Sequence, residues 1–196
     1  MSTILDDLQA DRARAIAAQD QNAQVCFLAT VDSENCPAVR TLVLREISDR
    51  QLTLFINASS PKWRHIQHQP HCQVLIWYPS IQIQYRLSGK AALINTDDIK
   101  QNWHKRPVRA KVLDHFYDQL AGQSTEFASR ERFLEAYQTL YDGIDTKALE
   151  ATDAAIGLAI TTTEIERLDL SQNDLPHDRS KFTWQANAWQ KSTLVP

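Results

Sequence analysis

The segment VCFLATVDSENCPAVRTLVLREISDRQLTLFI, residues 25–56, contains three apolar runs separated by short polar turns. Val25–Val31 is followed, after a turn at residues 32–35, by a long run from Ala38 to Ile47, and Gln51–Ile56 comes next. Runs of this length, rich in β-branched residues and bounded by turn residues, are typical of strands. The segment therefore predicts three strands in meander order.

The flanking sequence adds both helices and strands. An amphipathic helix is expected over about residues 3–19, where Asp6 follows Thr3 as in a capping box, and Pro61 opens a second helix that ends at Pro70. Further strands are predicted over 72–78, 81–88, 155–161, 164–170, 179–184 and 189–194, and further helices over 95–105, 109–120 and 128–141. This order predicts an α+β fold built on an antiparallel β-barrel with flanking helices.

The length of 196 residues favours one domain. We divide it into an N-terminal helix (1–20), barrel strands (25–96), a helical segment (97–142) and C-terminal strands (155–196). No apolar run approaches the roughly 20 residues of a membrane-spanning helix, and the first residues lack a signal-peptide pattern, so we expect a cytoplasmic protein. The three cysteines form no C-x-x-C motif and are expected to be reduced thiols.

The four glycines exclude several common sites. They form neither G-x-G nor the P-loop pattern, and no G-x-S-x-G is present. The chain therefore lacks the fingerprints of dinucleotide-binding folds, P-loop proteins and α/β-hydrolases. A phosphorylated ligand would have to be held by side chains.

Charge is segregated along the chain although the net charge is only −3. Residues 37–111 contain twelve Lys or Arg against four Asp or Glu, whereas the flanks contain nine against twenty. This asymmetry predicts a positive face for a small anionic ligand, with a solvated surface as the ordinary explanation of any single residue. Nucleic acid is a weaker alternative, which Trp63-Arg64, Tyr85-Arg86 and Trp103 would favour.

Three charged or metal-ligating groups stand out. His65, His68, His71 and Cys72 have a spacing that suggests zinc, but no second cluster completes the ligand set, so a solvated helix face is favoured and no metal is expected. The segment 105–111 places four cations at a helix break, where they could clamp a phosphate or be solvated. Arg40 and Arg45 lie within an apolar strand and need partners, either an anionic ligand or a structural carboxylate.

These motifs, taken in order, resemble the pyridoxamine 5′-phosphate oxidase family of FMN-binding split β-barrels. The resemblance begins at Arg40-Thr41-Leu42-Val43-Leu44-Arg45 and 54–62, and continues through the strand from Pro70 to Gln84 and Gly89. It extends through Arg106-Pro107, Gln123-Ser124 and the C-terminal pattern from His177 to Pro196. It covers about residues 25–196.

The resemblance implies one FMN per subunit and a homodimer with FMN at the subunit interface. It implies that FMN contacts come from Arg40, Thr41, Leu42, Val43, Leu44, Arg45, Phe55, Ile56, Lys62, Gln84, Gln123, Ser124 and Arg179. Among these, Arg40 and Lys62 match phosphate-binding positions, and Gln84 and Arg179 match positions at the flavin ring. Pro61 replaces a phosphate-binding Arg of the family, and Leu168 replaces a ring-contacting Trp.

The positions that bind pyridoxine phosphate in the family read Arg45, Asn102, Arg106, Ala110, Leu175 and His177 here. Only Arg106 and His177 are retained, so the chain resembles an oxidase-related branch of the family. We therefore expect an FMN-dependent oxidoreductase that transfers a hydride between the flavin and a small, anionic substrate. Arg45 and Arg106 would bind the substrate anion, and His177 would orient the substrate or move a proton.

Two alternatives remain open. A flavin carrier or sensor without catalysis would retain the cofactor site and lose the substrate site, as Leu175 and Ala110 suggest. A barrel that holds haem is also possible, but the spacing of the histidines selects no axial ligand.

Overall fold

The computed structural model of the protein describes residues 3–94 and 97–196, and only the backbone of residues 97 and 98. The helices are α1 (Ile4–Ala17), α2 (Pro61–His68), α3 (Asp97–His104), α4 (Val108–Gln119) and α5 (Arg130–Gly143). The strands are β1 (Val25–Val31), β2 (Pro37–Ser48), β3 (Gln51–Asn57), β4 (His71–Tyr78), β5 (Ile83–Ile94), β6 (Ala155–Asp169), β7 (Asp178–Gln185) and β8 (Ala188–Thr193). Within this part of the chain, no helix is both long and apolar enough to cross a membrane.

The strands form one sheet in the order β3-β2-β1-β4-β5-β6-β7-β8. An additional pairing between β3 and β6 closes the first six strands into an antiparallel barrel, and β7 and β8 extend the sheet beyond it. At the closure, both the backbone N–H and the hydroxyl of Thr162 donate to the carbonyl of Arg50, at 2.8 and 2.9 Å. The predicted α+β fold with an antiparallel split barrel and flanking helices is confirmed.

The contacts divide the chain into two compact units. The barrel unit comprises Met1–Leu54, His65–Ala92 and Leu158–Pro196, and the helical unit comprises Phe55–Arg64 and Leu93–Gly157. The single domain over residues 1–196, with its four segments, stays a prediction.

Buried side chains that alternate along the strands fill the interior of the barrel. In β1, Cys26, Leu28 and Thr30 are buried, whereas the residues between them are only half-buried. Because successive side chains point to opposite faces of a sheet, one face of β1 lines the interior and the other lies on the outer surface. The interior also contains, among others, Leu52, Leu54, Val74, Ile76, Tyr85, Leu87 and Ile165.

The helical unit has its own apolar centre. Trp103, Val112 and Leu149 are buried there. Half-buried residues of α5 and of the segment after it pack against them, namely Tyr137, Leu140, Tyr141, Ile144, Ala151 and Ala155.

The sequence prediction is wrong at one strand. The two strands expected over 155–161 and 164–170 are a single strand of 15 residues, β6. The prediction leaves a gap at Thr162 and Thr163, but β-branched residues favour strands, and Thr162 is fully buried and donates its N–H to the carbonyl of Arg50, the residue before β3. Without glycine or proline, nothing interrupts the strand there.

The other predicted strand and helix boundaries differ less from the observed ones. Residues 79–82 form a turn, so β5 begins at Ile83 and continues to Ile94. The expected capping box is present, because Thr3 and Asp6 bond reciprocally at the start of α1. The cap expected at 95–98 lies outside the described residues, apart from the backbone of 97 and 98.

Candidate functional site

The outer face of the barrel brings together three positions that the family resemblance places at the flavin ring. Gln84 lies on this face of β5, between the buried residues Ile83 and Tyr85. Across the sheet, Leu168 of β6 is directly paired with Arg179 of β7. Residues 84, 168 and 179 are far apart in sequence, and the order β5-β6-β7 brings them onto adjacent strands.

An apolar groove runs along this face. One cavity of about 260 Å³ is lined by Phe27, Leu75, Trp77, Gln84 and Leu170. A second, of about 300 Å³, also contains Phe27 and Leu75 and is lined in addition by Ala29, Val39, Gln73, Val74 and Arg86. The two cavities are therefore adjacent, and together they form an apolar slot with an amide in one part and a guanidinium in the other. This is the composition expected of a pocket for a flat organic ligand.

Glu166 links two arginines on the same face. Its Oε2 accepts from Arg86 Nη2 at 2.5 Å, from Arg179 Nη2 at 2.8 Å and from Arg179 Nε at 3.3 Å. Burial alone would raise the pKa of the Glu166 carboxyl, but the hydrogen bonds from Arg179 and Arg86 outweigh burial and lower it. Glu166 is therefore ionised at neutral pH and fixes both guanidinium groups.

Lys62 and Gln123 meet in the helical unit although 61 positions separate them. Lys62 Nζ donates to Gln123 Oε1 at 3.1 Å, and the Gln123 backbone N–H donates to Ser59 Oγ at 2.9 Å. Ser59 in turn donates both its N–H and its hydroxyl to Asn57 Oδ1, at 2.9 and 2.7 Å. Ser124 has a φ of 68°, the left-handed conformation. The segment around Gln123 is thus held in a defined geometry beside an ammonium group.

Asn57 leaves one donor without a partner. Asn57 is buried, and its side-chain Nδ2 makes no hydrogen bond within the described part of the chain. The orientation of the amide is set by Ser59, whose N–H requires an oxygen opposite it.

The two arginines of β2 lie on opposite faces of that strand. Arg40 is half-buried, and its Nη1 donates to Leu28 O at 3.0 Å and to Thr30 Oγ1 at 2.7 Å. Burial lowers the pKa of the Arg40 guanidinium, which stays charged all the same. Arg45 is exposed, on the same side of β2 as Thr41 and Val43. The described contacts of Arg40 are neutral oxygens rather than a structural carboxylate.

Arg106 has a carboxylate partner. Its Nη1 donates to Asp114 Oδ2, which also accepts from Trp103 Nε1 at 2.7 Å. Asp114 is 4% exposed, whereas the Arg106 side chain is 34% exposed. The guanidinium is therefore anchored by Asp114, while the Arg106 side chain stays partly exposed to solvent. The three residues come from α3, the following loop and α4.

The remaining predicted positions lie as follows. His177 is exposed in the segment that precedes β7. Phe55 is half-buried and Ile56 is buried near the end of β3, while Leu42 is half-buried and Leu44 buried in β2. The FMN and substrate roles of these residues stay predictions.

The histidine cluster is explained by ordinary contacts. His65 Nδ1 lies 3.0 Å from Thr30 Oγ1, and His71 Nδ1 lies 2.8 Å from Gln69 Oε1. Among the described residues, no group of three or more His, Cys, Asp or Glu could hold a metal ion.

Sequence reasoning missed the partners of the arginines. No sequence motif identified Glu166 or Asp114, and the contacts of both follow from strand register and helix packing. For Arg86, the alternation over residues 81–88 predicts a polar strand face that it shares with Gln84 and that could line a site.

A second charged network lies between α1 and the inner face of β5 and β6. Asp11 of α1 is buried and accepts from the Tyr85 hydroxyl at 2.6 Å. Arg167 also bonds to Asp11 and to Asp169, at 3.3 and 3.5 Å. Residues 166 and 167 thus bind partners on opposite faces of β6.

Comparison with known proteins agrees with this architecture. The family model described as pyridoxamine 5′-phosphate oxidase matches residues 13–141, more than half of the chain. A protein named pyridoxine/pyridoxamine 5′-phosphate oxidase from Psychrobacter sp. (strain PRwf-1) is 31% identical over 172 residues, which are 86% of this chain and 78% of that protein.

Two solved structures share the fold. PhzG from Burkholderia lata 383, in complex with tetrahydrophenazine-1-carboxylic acid, has a TM-score of 0.85 at 23% identity and covers 100% of this chain and 94% of its own. A pyridoxamine 5′-phosphate oxidase-related, FMN-binding protein from Nostoc punctiforme PCC 73102 has a TM-score of 0.74 at 19% identity, over 95% and 96% of the two chains. With the family match and the six-stranded barrel, these likenesses lead to one assignment: the chain belongs to the pyridoxamine 5′-phosphate oxidase family.

Proposed function

We propose that this protein is an FMN-dependent oxidoreductase that transfers a hydride between the flavin and a small, anionic substrate. The observation that carries the proposal is the placement of Gln84, Leu168 and Arg179 on the adjacent strands β5, β6 and β7, with Gln84 lining an apolar groove on the outer face of the barrel. The family assignment supports a flavin-related function, and the Nostoc punctiforme relative of the same fold is an FMN-binding protein.

The groove suits the isoalloxazine ring. A flavin ring is flat and largely apolar, with hydrogen-bonding atoms along one edge, so it needs an apolar slot and a few placed polar groups. Phe27, Leu75 and Trp77 supply apolar surface, and Gln84 supplies an amide that both donates and accepts. Arg179 would add a guanidinium at the ring.

The cluster around Lys62 suits the FMN phosphate. An ammonium group, the Ser124 hydroxyl and the Gln123 amide are donors or charges that a phosphate requires, and the bond network from Asn57 to Gln123 holds them before a ligand arrives. We propose Arg40 as a further phosphate contact, as the resemblance implies.

Bound FMN would supply the hydride chemistry, because the flavin ring accepts or returns two electrons with a proton. The chain's own residues would bind and orient the substrate. Arg45 is exposed on β2, and Arg106 keeps solvent-facing donors while Asp114 holds it. We propose that these two guanidinium groups bind the substrate anion and that His177, an exposed imidazole, positions the substrate or moves a proton.

The first experiment is an absorption spectrum of freshly purified protein, followed by titration of the apoprotein with FMN. Two flavin bands or stoichiometric binding support the proposal, and a protein that is colourless and ignores added FMN refutes it. Lys62→Ala and Arg179→Ala should each weaken FMN retention on dialysis. If both variants retain full occupancy, the assigned contacts are wrong.

Turnover separates an enzyme from a flavin carrier. Pyridoxine 5′-phosphate and pyridoxamine 5′-phosphate are the first substrates to test, because the curated relatives bear those names. Tetrahydrophenazine-1-carboxylic acid is the next, because the PhzG structure contains it. Turnover of any of them supports the enzyme, whereas FMN binding without turnover of a broad panel of anions and amines supports the carrier.

We also propose that the protein acts as a homodimer in the cytoplasm. Sedimentation equilibrium of the holoprotein tests the oligomeric state, and cell fractionation tests the location. A monomer that binds FMN at full stoichiometry would contradict an interfacial site.

A further inference from the structure

A triad of two arginines and one glutamate lies on the outer face of the barrel, on three adjacent strands. Arg86 comes from β5, Glu166 from β6 and Arg179 from β7. The side chains of Glu166 and Arg179 are 17% and 29% exposed, and that of Arg86 is 44% exposed. One carboxylate oxygen accepts from both arginines, at 2.5 and 2.8 Å, so the three charges form a single unit.

The triad has a net charge of +1, because one carboxylate offsets only one of two guanidinium groups. The described contacts of Arg179 use Nε and Nη2, and those of Arg86 use Nη2. Each guanidinium has five N–H donors, so both retain donors for a ligand. Since Glu166 and Arg179 are largely shielded from water, this net charge is screened less than that of an exposed side chain.

Arg86 connects the triad to the groove. It lines the cavity of about 300 Å³ that shares Phe27 and Leu75 with the cavity of Gln84. Gln84 and Arg86 are two residues apart on the same face of β5. A ring lying against Gln84 would therefore be close to a fixed positive charge.

We propose that Arg86 is a further cofactor-tuning residue and that Glu166 is a positioning residue, the triad's net positive charge raising the reduction potential of bound FMN. This inference rests on the proposed function, because it requires FMN at the groove. Reduction adds electron density to the ring, and a nearby positive charge stabilises the electron-rich form more than the oxidised form. Charge near the ring is one of the means by which a protein sets a flavin potential.

The charge balance of the triad predicts the direction in which each variant should shift the reduction potential of bound FMN. Arg86→Gln brings the net charge to zero and should lower the potential of bound FMN, whereas Glu166→Gln brings it to +2 and should raise the potential. The double variant restores +1 and should return close to the wild-type value. For each single variant we expect on the order of a tenfold change in the ratio of affinities for reduced and oxidised FMN, which is about 30 mV for a two-electron couple.

The measurement is a spectroscopic redox titration of the FMN-loaded protein against a reference dye. Lys90→Gln is the matched control, because Lys90 is exposed on the same face of β5 four residues further along, roughly 13 Å away at the strand rise. It should change the potential by much less than Arg86→Gln. Arg86→Lys keeps the charge and should leave the potential nearly unchanged. If Arg86→Gln does not fold, the rise expected for Glu166→Gln still tests the inference.

Each outcome decides the inference. Shifts of opposite sign for the two single variants, with recovery in the double variant, support it. Equal shifts of the same sign overturn it, because a loosened ring site would explain them, and so does the absence of any shift. An equal effect of Lys90→Gln also overturns it, because the overall charge of the protein would then explain the shift. A wild-type protein that does not bind FMN would instead refute the proposed function, and the two failures are thus distinguished.

Discussion

Of the four glycines, Gly89 is the one where an added methyl group would lie nearest to another atom. It is buried in β5 opposite Cys72 of β4. A Cβ at this position would lie 2.5 Å from the carbonyl oxygen of Thr161 and 3.1 Å from Cα of Thr162. Both are backbone atoms of β6, so no side chain can rotate away. Overpacking of this kind costs about 3 kcal/mol, and the reduced entropy of the unfolded chain returns up to about 1 kcal/mol.

We therefore expect Gly89→Ala to lower the free energy of unfolding by about 2 kcal/mol, which is roughly 4–8 °C in Tm for a chain of this size. Urea unfolding followed by circular dichroism measures the change, with the m-value as a check on two-state behaviour. Gly143→Ala is the control, because nothing lies within 4 Å of its Cβ position at the end of α5. That variant should be neutral or slightly stabilised. A Gly89→Ala protein as stable as the wild type, with an unchanged m-value, would refute the close approach of β5 and β6.

Three further outcomes are expected. Lys62→Gln should weaken FMN binding about tenfold or more, at about 1.5–3 kcal/mol for a lost charged hydrogen bond, while riboflavin, which lacks the phosphate, should bind equally well to both proteins. Ellman's reagent at pH 8 should titrate exposed Cys36 in the native protein, and Cys26 and Cys72 only after unfolding, because burial raises the pKa of each to about 12. Because the folded state lowers the pKa of Glu166 below its ordinary 4.5, its contribution to stability is present above that pH and is lost as the pH falls through the folded pKa. Urea unfolding at pH 7 and pH 3 should therefore show a smaller acid loss for Glu166→Gln than for the wild type.

The strands and helices were largely predictable because local rules govern them. Alternation placed β1 over Val25–Val31, and Pro61 opens α2 where a missing N–H is harmless. The prediction of two strands in place of β6 is wrong because polar threonines interrupt the apolar run, although β-branched residues favour a strand and neither glycine nor proline is present there. The pairing of Thr162 with Arg50 spans 112 positions, and no local pattern carries that information.

In the candidate site too, some features could be expected from the sequence, whereas others depend on the tertiary structure. The resemblance to the family implies the roles proposed for Gln84, Lys62 and Arg179, and the structure adds what surrounds each of them. Lys62 meets Gln123, and Arg179 meets Glu166, through contacts that depend on tertiary register. Asp114 was not foreseen as the partner of Arg106, because the helix break between them hides which face of α4 turns toward the arginine.

The opposite charges of Glu166 and Arg167 help to set the register in which β6 pairs with its neighbours. On the outer face Glu166 lies between Arg86 and Arg179, and on the inner face Arg167 meets Asp11. Because side chains alternate, slipping this strand by one residue would exchange the two faces. Three arginines would then crowd together outside, and two carboxylates would face each other in the interior, where repulsion is least screened. The opposite charges of these neighbouring residues thus favour the observed register of β6 and disfavour registers shifted by one residue.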